Sequence, residues 1–270
     1  MGGRPVLAGN SPESLERGAN MSAGHHPLST EKLIERQIRF WELQRQKGKE
    51  RERPGRGKSG PVMFGPYLLI SREKAAGGRT VAALAAERLN WQVFDREIVD
   101  EIARRAKMRQ QLIESLDERG RGGLEDFIRD FLGSEPIAPG DYLYQLKQVL
   151  LTLGHQGDVV IVGRGAEYVL PSQFGVRIRM VAPLDVRIER VRKAQGLTLE
   201  AARSQVAQVD REREKFIRSH FHQALRNPLD YDVVINTGQM SAEGAAEIVL
   251  ATLQNKLGVL PGNVTTVVGK

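Results

Sequence analysis

The residues with most chemistry to offer lie in the stretch YLLISREKAAGGRTVAALAAERL, from Tyr67 to Leu89. It reads as an apolar strand, a glycine-bearing loop and an Ala-rich helix, in that order. Such a turn aims backbone N–H groups and the positive end of the helix at one point, which suits an anion. Gly77 and Gly78 can take positive φ and let a phosphate approach the backbone closely. Arg79 adds a charged fork of donors, and the Thr80 hydroxyl stands where a ligand to phosphate-bound Mg²⁺ would stand. Against the phosphate-loop pattern G-x-x-x-x-G-K-[ST], Gly78 and Thr80 fit, Arg79 falls on the lysine and Glu73 on the first glycine. Phosphate binding at residues 77–80 is the expected chemistry. A Gly-Gly turn that merely connects strand to helix is the alternative.

Arg164, between Gly163 and Gly165, ends an apolar run, and the carboxyl edge of an open α/β sheet is where ligands bind. Arg187 and Arg190 lie three apart, share a helix face and could both reach phosphates; with Glu189 beside them they also suit a plain helix surface. The run Asp210-Arg-Glu-Arg-Glu-Lys215 is either a solvated face or a functional cluster. Asp95 is well placed to cap the helix that follows it. His220 and His222 point apart on a helix and have no acidic cluster nearby, so no metal site is expected there. No G-x-S-x-G hydrolase pattern is present.

These residues need elements to hold them. Strands are expected at residues 67–71, 91–94, 158–162, 176–181 and 231–236. Helices are expected at 80–89, 97–106, 142–153, 184–194, 199–221 (one long helix or a pair) and 241–257, with further helices over 108–133 broken at Gly120–Gly123. Strands alternating with crossover-length helices imply an α/β fold with a parallel sheet covered on both faces.

Four segments in register resemble the nucleoside monophosphate kinases, specifically the cytidylate-kinase-like group whose loop reads S-R-x-x-x-x-G-G-R. They are Ile70 to Arg79, Val93-Phe-Asp-Arg-Glu-Ile98, Val160 to Ala166, and a set running from Arg179–Arg187 through Asp210–Arg213 to Asp232–Thr237. The resemblance implies a three-layer P-loop NTPase fold: five parallel strands with helices on both faces. It implies ATP-dependent phosphoryl transfer, with Mg²⁺, to a nucleoside monophosphate such as CMP. On it, Ser71, Arg72, Gly77, Gly78, Arg79 and Thr80 would bind ATP, Thr80 through Mg²⁺. Asp95 and Arg164 would hold the acceptor. Arg79, Arg187, Arg190, Arg211 and Arg213 would serve catalysis, the last two in a lid that Asp210 orients. Two alternatives stay open: an inactive nucleotide-binding regulatory module, and a nucleic-acid-associated protein acting through a basic arm.

Length and composition frame these readings. The 270 residues suffice for one sizeable α/β domain. With no cysteine, disulfides, thiolate catalysis and cysteine-ligated zinc are excluded. No apolar run approaches the roughly 18 residues that would suggest a membrane span, and no secretory signal is visible, so a cytoplasmic protein is expected. The net charge is +7, but residues 1–60 hold twelve Lys or Arg against seven Asp or Glu, so most of the excess sits in the N-terminal extension. The folded body is nearly balanced, which argues against nucleic acid as its main partner. Residues 1–27 read as a disordered arm, 28–50 as an amphipathic helix, 51–65 as a charged linker, 66–257 as the domain and 258–270 as a tail. Residues 30–46 would dock on the body, on a partner or on a second copy.

Overall fold

The structure, a computed structural model, describes residues 64–259 other than 117, 134–137 and 139, together with Lys32. The arm, the helix expected at 28–50 and most of the linker and tail lie outside the described residues. In chain order the elements are β1 (Tyr67–Arg72), α1 (Gly78–Leu89), β2 (Gln92–Phe94), α2 (Arg96–Arg104), α3 (Ala106–Glu114), α4 (Glu118–Gly133), α5 (Tyr142–Gln156), β3 (Val159–Val162), β4 (Gly175–Val181), α6 (Leu184–Gln195), α7 (Leu199–Phe221), β5 (Val233–Asn236) and α8 (Ala242–Leu257).

The five strands form one parallel sheet in the order β2-β3-β1-β4-β5. Side chains alternate across a strand, and here both faces are apolar. Tyr67, Leu69, Phe94, Val159 and Ile161 face the layer of α2 to α5. Leu68, Ile70, Val160, Val162, Val176, Ile178 and Met180 face α1 and α8. That is why the strands read as unbroken apolar runs rather than alternating ones: a parallel sheet is buried on both sides. Helices α6 and α7 form a hairpin with a small core of its own, Ile188, Val191, Ala202 and Val206, against which Ala75 of the loop after β1 packs.

Two expectations are corrected. Gly120–Gly123 do not break a helix: α4 runs through them, and the break lies before it, after Ser115. Glycine costs each helix position about 1 kcal/mol, but Leu124, Ile128 and Leu132 recur at i, i+4 and i+8 and are all buried, so packing outweighs propensity. The helix expected at 97–106 ends at Arg104, because Arg105 is extended (φ −101°, ψ 109°) and α3 restarts beyond it. Residues 199–221 form one helix, not a pair.

The topology sets where a ligand can sit. The chain leaves β1 toward the α1 layer and leaves β3 toward the opposite layer, where Ala166, Val169 and Leu170 join the first core. A crevice therefore opens between the carboxyl ends of β1 and β3, as it does wherever neighbouring connections diverge.

The start of β1 is pinned to the end of α5: Gly65 N donates to Gly154 O (3.0 Å) and Asp158 N to Pro66 O (2.7 Å). Gly157, at φ 71° and ψ −176°, occupies a region essentially reserved for glycine. A Cβ there would lie 2.6 Å from Gly65 Cα. Gly157→Ala is expected to cost at least about 1–3 kcal/mol from backbone strain alone, read as a lower urea midpoint at unchanged m-value.

Candidate functional site

The loop from Glu73 to Gly77 is built by two different glycine requirements. Gly77 caps α1 at φ 76°, and a Cβ on it would meet nothing; its role is conformational. Gly78 is the first helical residue, and a Cβ on it would lie 2.8 Å from Arg72 Cβ; its role is to leave space. Only the first therefore takes the positive φ expected of both. No side chain caps α1 and no acidic residue stands in its first turn, so its amides and the positive end of its dipole face outward without a competing carboxylate.

Glu73 turns away from this point. Its Oε2 accepts from Ala182 N (3.3 Å) and pairs with Arg187 Nε (3.2 Å). Arg187 also donates to Ala182 O (2.9 Å), Lys74 O (3.4 Å) and Asp210 Oδ2 (2.5 Å). Arg190 donates to Ala75 O (3.2 Å), Thr237 Oγ1 (3.2 Å) and Thr237 O (2.6 Å), and Thr237 Oγ1 donates to Ala76 O (3.1 Å). Asp210, on α7, accepts from Lys74 N (2.7 Å). The carbonyls of three consecutive loop residues are thus bound by α6 and Thr237. Arg187 and Arg190 share a helix face as expected, but these guanidinium contacts are with protein, and the pair braces the loop.

Positive charge accumulates around it with few counter-charges. Burial, then Arg213 and Arg79, hold the Lys74 ammonium below its usual range. Burial lowers Arg213 as well. The Arg72 guanidinium makes no hydrogen bond or ion pair with any described residue, although the Arg72 carbonyl accepts from Arg213 Nη1 (3.1 Å). Burial together with Arg213 and Arg79 pushes the guanidinium down to about 9, against the opposing pull of Glu97 and Asp95. Arg79 reaches Asp95 Oδ2 (3.0 Å) and Glu97 Oε2 (2.8 Å) across the mouth of the loop. Asp95 caps α2 by accepting from Ile98 N (3.2 Å), and burial with the neighbouring Glu97 raises its carboxyl.

A cavity of about 170 Å³ lies in the crevice, lined chiefly by Arg72, Arg96, Arg164, Glu167, Arg213 and Phe216. Gly163, Arg164 and Gly165 all take positive φ (82°, 64° and 68°). The glycines leave room: a Cβ on Gly165 would lie 2.3 Å from the Phe221 ring, and one on Gly163 2.1 Å from Arg72 Nη1. A positive φ at Arg164 costs energy, and the surroundings hold it there. Its Nη2 donates to Asp100 Oδ2 (2.5 Å) and its guanidinium lies 4.6 Å over the Phe216 ring. Asp100 also accepts from Tyr142 OH (2.5 Å). The buried Nε groups of Arg164 and Arg213 have no partner among the described residues. Orphaned donors of this kind cost about 1–3 kcal/mol each, and the lining sets four arginines against Glu167 and Glu212, with Asp100 behind Arg164. Under it, Ser71 accepts from Arg179 Nη1 (2.9 Å) and Tyr231 OH donates to Leu225 O (2.9 Å).

The structure thus brings Ser71, Arg72, Arg164 and Arg213 to one cavity, with Gly77, Gly78 and Asp210 in the adjoining loop and its brace. Arg79 and Asp95 meet at the rim. Thr80 and Arg211 are exposed and line no part of the cavity. Sequence reading missed Lys74, Arg96, Asp100, Glu167 and Phe216. Arg96 was signalled by its place in the Phe-Asp-Arg-Glu segment; Asp100 and Phe216 carry no local signal, since they matter only through Arg164. Among the described residues no group of three or more His, Cys, Asp or Glu gathers, and no helix is long and apolar enough to cross a membrane.

Residues 68–239 match the model of the cytidylate kinase-like family. A cytidylate kinase of Pyrococcus horikoshii is 32% identical over 100 residues, covering 37% of this chain and 52% of that protein. A uronate isomerase of Corynebacterium glutamicum is 37% identical over 98 residues, 36% of this chain and 19% of that protein. The chain thus spans about half of the kinase and a fifth of the isomerase. The crystal structure of an uncharacterised protein from Eubacterium ventriosum superposes at a TM-score of 0.49 and 20% identity, covering 70% of this chain and 98% of that one.

Two outcomes are expected. Arg187→Met leaves the Glu73 and Asp210 carboxylates, both largely buried, without their shared cation and is expected to cost roughly 3–5 kcal/mol in urea unfolding. Calorimetric affinity for inorganic pyrophosphate is expected to hold between pH 7 and 8 and to fall as pH passes about 9. The sign follows from Lys74 and Arg72, whose charged forms burial and the neighbouring cations disfavour, so that attraction for the anion weakens as pH rises.

Proposed function

The chain belongs to the cytidylate kinase-like family, and we propose that it transfers a phosphoryl group from ATP to a nucleoside monophosphate of the CMP kind. The observation that carries this reading is the pair of adjoining cationic sites: a capless helix start with Lys74 and Arg79 beside it, and a cavity whose Arg164 and Arg213 Nε groups lack partners. Two anions are accommodated side by side, one from a donor and one from an acceptor.

Phosphoryl transfer needs positioning and positive charge more than covalent chemistry. The α1 amides and Lys74 hold the donor phosphates. Arg164, aimed by Asp100 and Phe216, and Arg213 hold the acceptor phosphate. Asp95 helps to hold the acceptor nucleotide, and its pairing with Arg79 ties it to α1. Arg187 and Arg190 act as positioning residues through the loop carbonyls. Asp210 fastens α7 to the loop, so that Arg213 covers the cavity from a lid that also keeps out water. Arg211 stands on the exposed side of that helix and is given no role. Mg²⁺ would enter with ATP and neutralise phosphate charge there; Thr80, the hydroxyl expected to hold it, is exposed and lines no part of the cavity, so no side chain is assigned to the ion.

ADP formation is the direct test, with ATP, Mg²⁺ and a panel of CMP, UMP, dCMP and AMP. Turnover of at least one pyrimidine monophosphate is expected. Nucleotide binding without turnover of any acceptor would favour the inactive regulatory module instead. Arg164→Ala is expected to raise the acceptor KM by roughly 10- to 100-fold, the equivalent of one charge-assisted hydrogen bond, while the ATP KM stays within about twofold.

A further inference from the structure

The start of α1 changes how the phosphate-loop pattern falls on this chain. In G-x-x-x-x-G-K-[ST] the lysine directly follows the second glycine, at the head of the helix. With Gly77 as the cap and Gly78 as the first helical residue, the first glycine falls on Arg72, the lysine on Gly78 and the Ser/Thr on Arg79. This is one residue earlier than the spacing alone suggests. The chain therefore has a glycine where the pattern calls for the lysine at the head of the helix, and an arginine where it calls for a glycine.

The two departures are physically one. A Cβ on Gly78 would lie 2.8 Å from Arg72 Cβ and 3.1 Å from Arg72 Cγ, so the space at the head of the helix is filled by the arginine stem. From there the side chain crosses the crevice, and its Nη1 lies 2.1 Å from where a Cβ on Gly163 would be. Gly78 clears the beginning of its path and Gly163 the end. The guanidinium lines the cavity beside Arg96, Arg164 and Arg213 and has no hydrogen-bond or ion-pair partner among the described residues. It feels Arg79, Asp95 and Glu97 on the loop side and Arg213 on the lid side, and so stands between the two anion sites.

We propose that Arg72 is the catalytic cation of this site, supplying from the end of β1 the charge that a phosphate-loop lysine supplies from the head of the helix. The proposal rests on the kinase reading above. In the step it serves, an oxygen of the acceptor phosphate attacks the γ-phosphorus of ATP. A new P–O bond forms as the bond to the β,γ-bridging oxygen breaks, and the electron pair leaves on ADP. An acceptor phosphate is largely dianionic at neutral pH (pKa about 6), so no protein base has to take a proton. Arg72 contacts the non-bridging oxygens in flight, and its planar fork can bind two of them at once, which a lysine cannot.

The test uses the full chain and four variants: Arg72→Gly, Arg72→Lys, Gly78→Lys and the double Arg72→Gly/Gly78→Lys. Each is compared by kcat, KM for ATP and acceptor, and thermal unfolding. Arg72→Gly is expected to lower kcat by roughly 10²- to 10³-fold, the usual loss for one transition-state donor, with KM for ATP changed far less. Gly78→Lys alone is expected to be as impaired, because Arg72 blocks the new side chain. The double variant, with the space vacated, is expected to recover at least about tenfold over Arg72→Gly. A purely structural role for Arg72 would not be rescued by a lysine at 78. Should Arg72→Gly fail to fold, Arg72→Lys carries the comparison; wild-type kcat in a folded Arg72→Lys or Arg72→Gly overturns the proposal, as does a double variant no better than Arg72→Gly. If the wild-type chain turns over no acceptor, the kinase reading falls. Pyrophosphate affinity then decides the Arg72 assignment separately: a tenfold loss in Arg72→Gly upholds its anion contact, and unchanged affinity ends it.

Discussion

Crowded and only partly compensated positive charge at the carboxyl ends of β1 and β3 constrains the rest of this site. Four arginines line a cavity that offers only Glu167 and Glu212 in return, and bringing a charge out of water costs several kcal/mol unless it is paired. The fold meets that cost by fixing the arginines individually. Arg164 is held by Asp100 and Phe216, Arg213 by a bond to Arg72 O (3.1 Å) and by Asp210 at 3.7 Å. What is left over is a set of fixed, partly orphaned donors, the Nε groups of Arg164 and Arg213 among them. Preorganised charge of this kind is the main resource available to phosphoryl-transfer chemistry.

The α6–α7 hairpin links this charge to the loop. One carboxylate, Asp210, accepts from the Lys74 amide, pairs with Arg187 and approaches Arg213. Loop, brace and the cavity-lining part of α7 therefore meet at a single side chain. Motion of α7 away from the cavity has to break these contacts together, which couples access to the crevice with the shape of the loop. The small apolar core of the hairpin, with Ala75 packed on it, makes the coupling steric as well as electrostatic.

Backbone strain is present in the same place. Ala75 and Arg164 are two of the five non-glycine residues at positive φ among those described, and Gly77, Gly163 and Gly165 add three more left-handed positions around the crevice. Strain of this kind persists only where neighbouring contacts over-determine it. Here they are the carbonyl bonds made by Arg190 and Thr237 on one side and the Asp100–Arg164 pair on the other.

Much of this was legible in the residues themselves. Unbroken apolar runs of strand length separated by helical stretches determine a parallel sheet covered on both faces, because only burial on both sides tolerates such runs. The Ser-Arg…Gly-Gly-Arg loop and the Gly-Arg-Gly turn marked both sides of the crevice, because glycines between strand and helix are local requirements that sequence records directly. Three things were left to tertiary structure. The glycines of α4 stay helical because of Leu124, Ile128 and Leu132, a packing effect that outweighs propensity. Arg187 and Arg190 spend their donors on the loop, since the carbonyls that receive them lie over a hundred residues away in sequence. And Gly78 reads as a conformational glycine until Arg72 is seen to fill the space beside it. Spacing describes what a residue can do for its neighbours in the chain; only the fold decides which distant atoms compete for it.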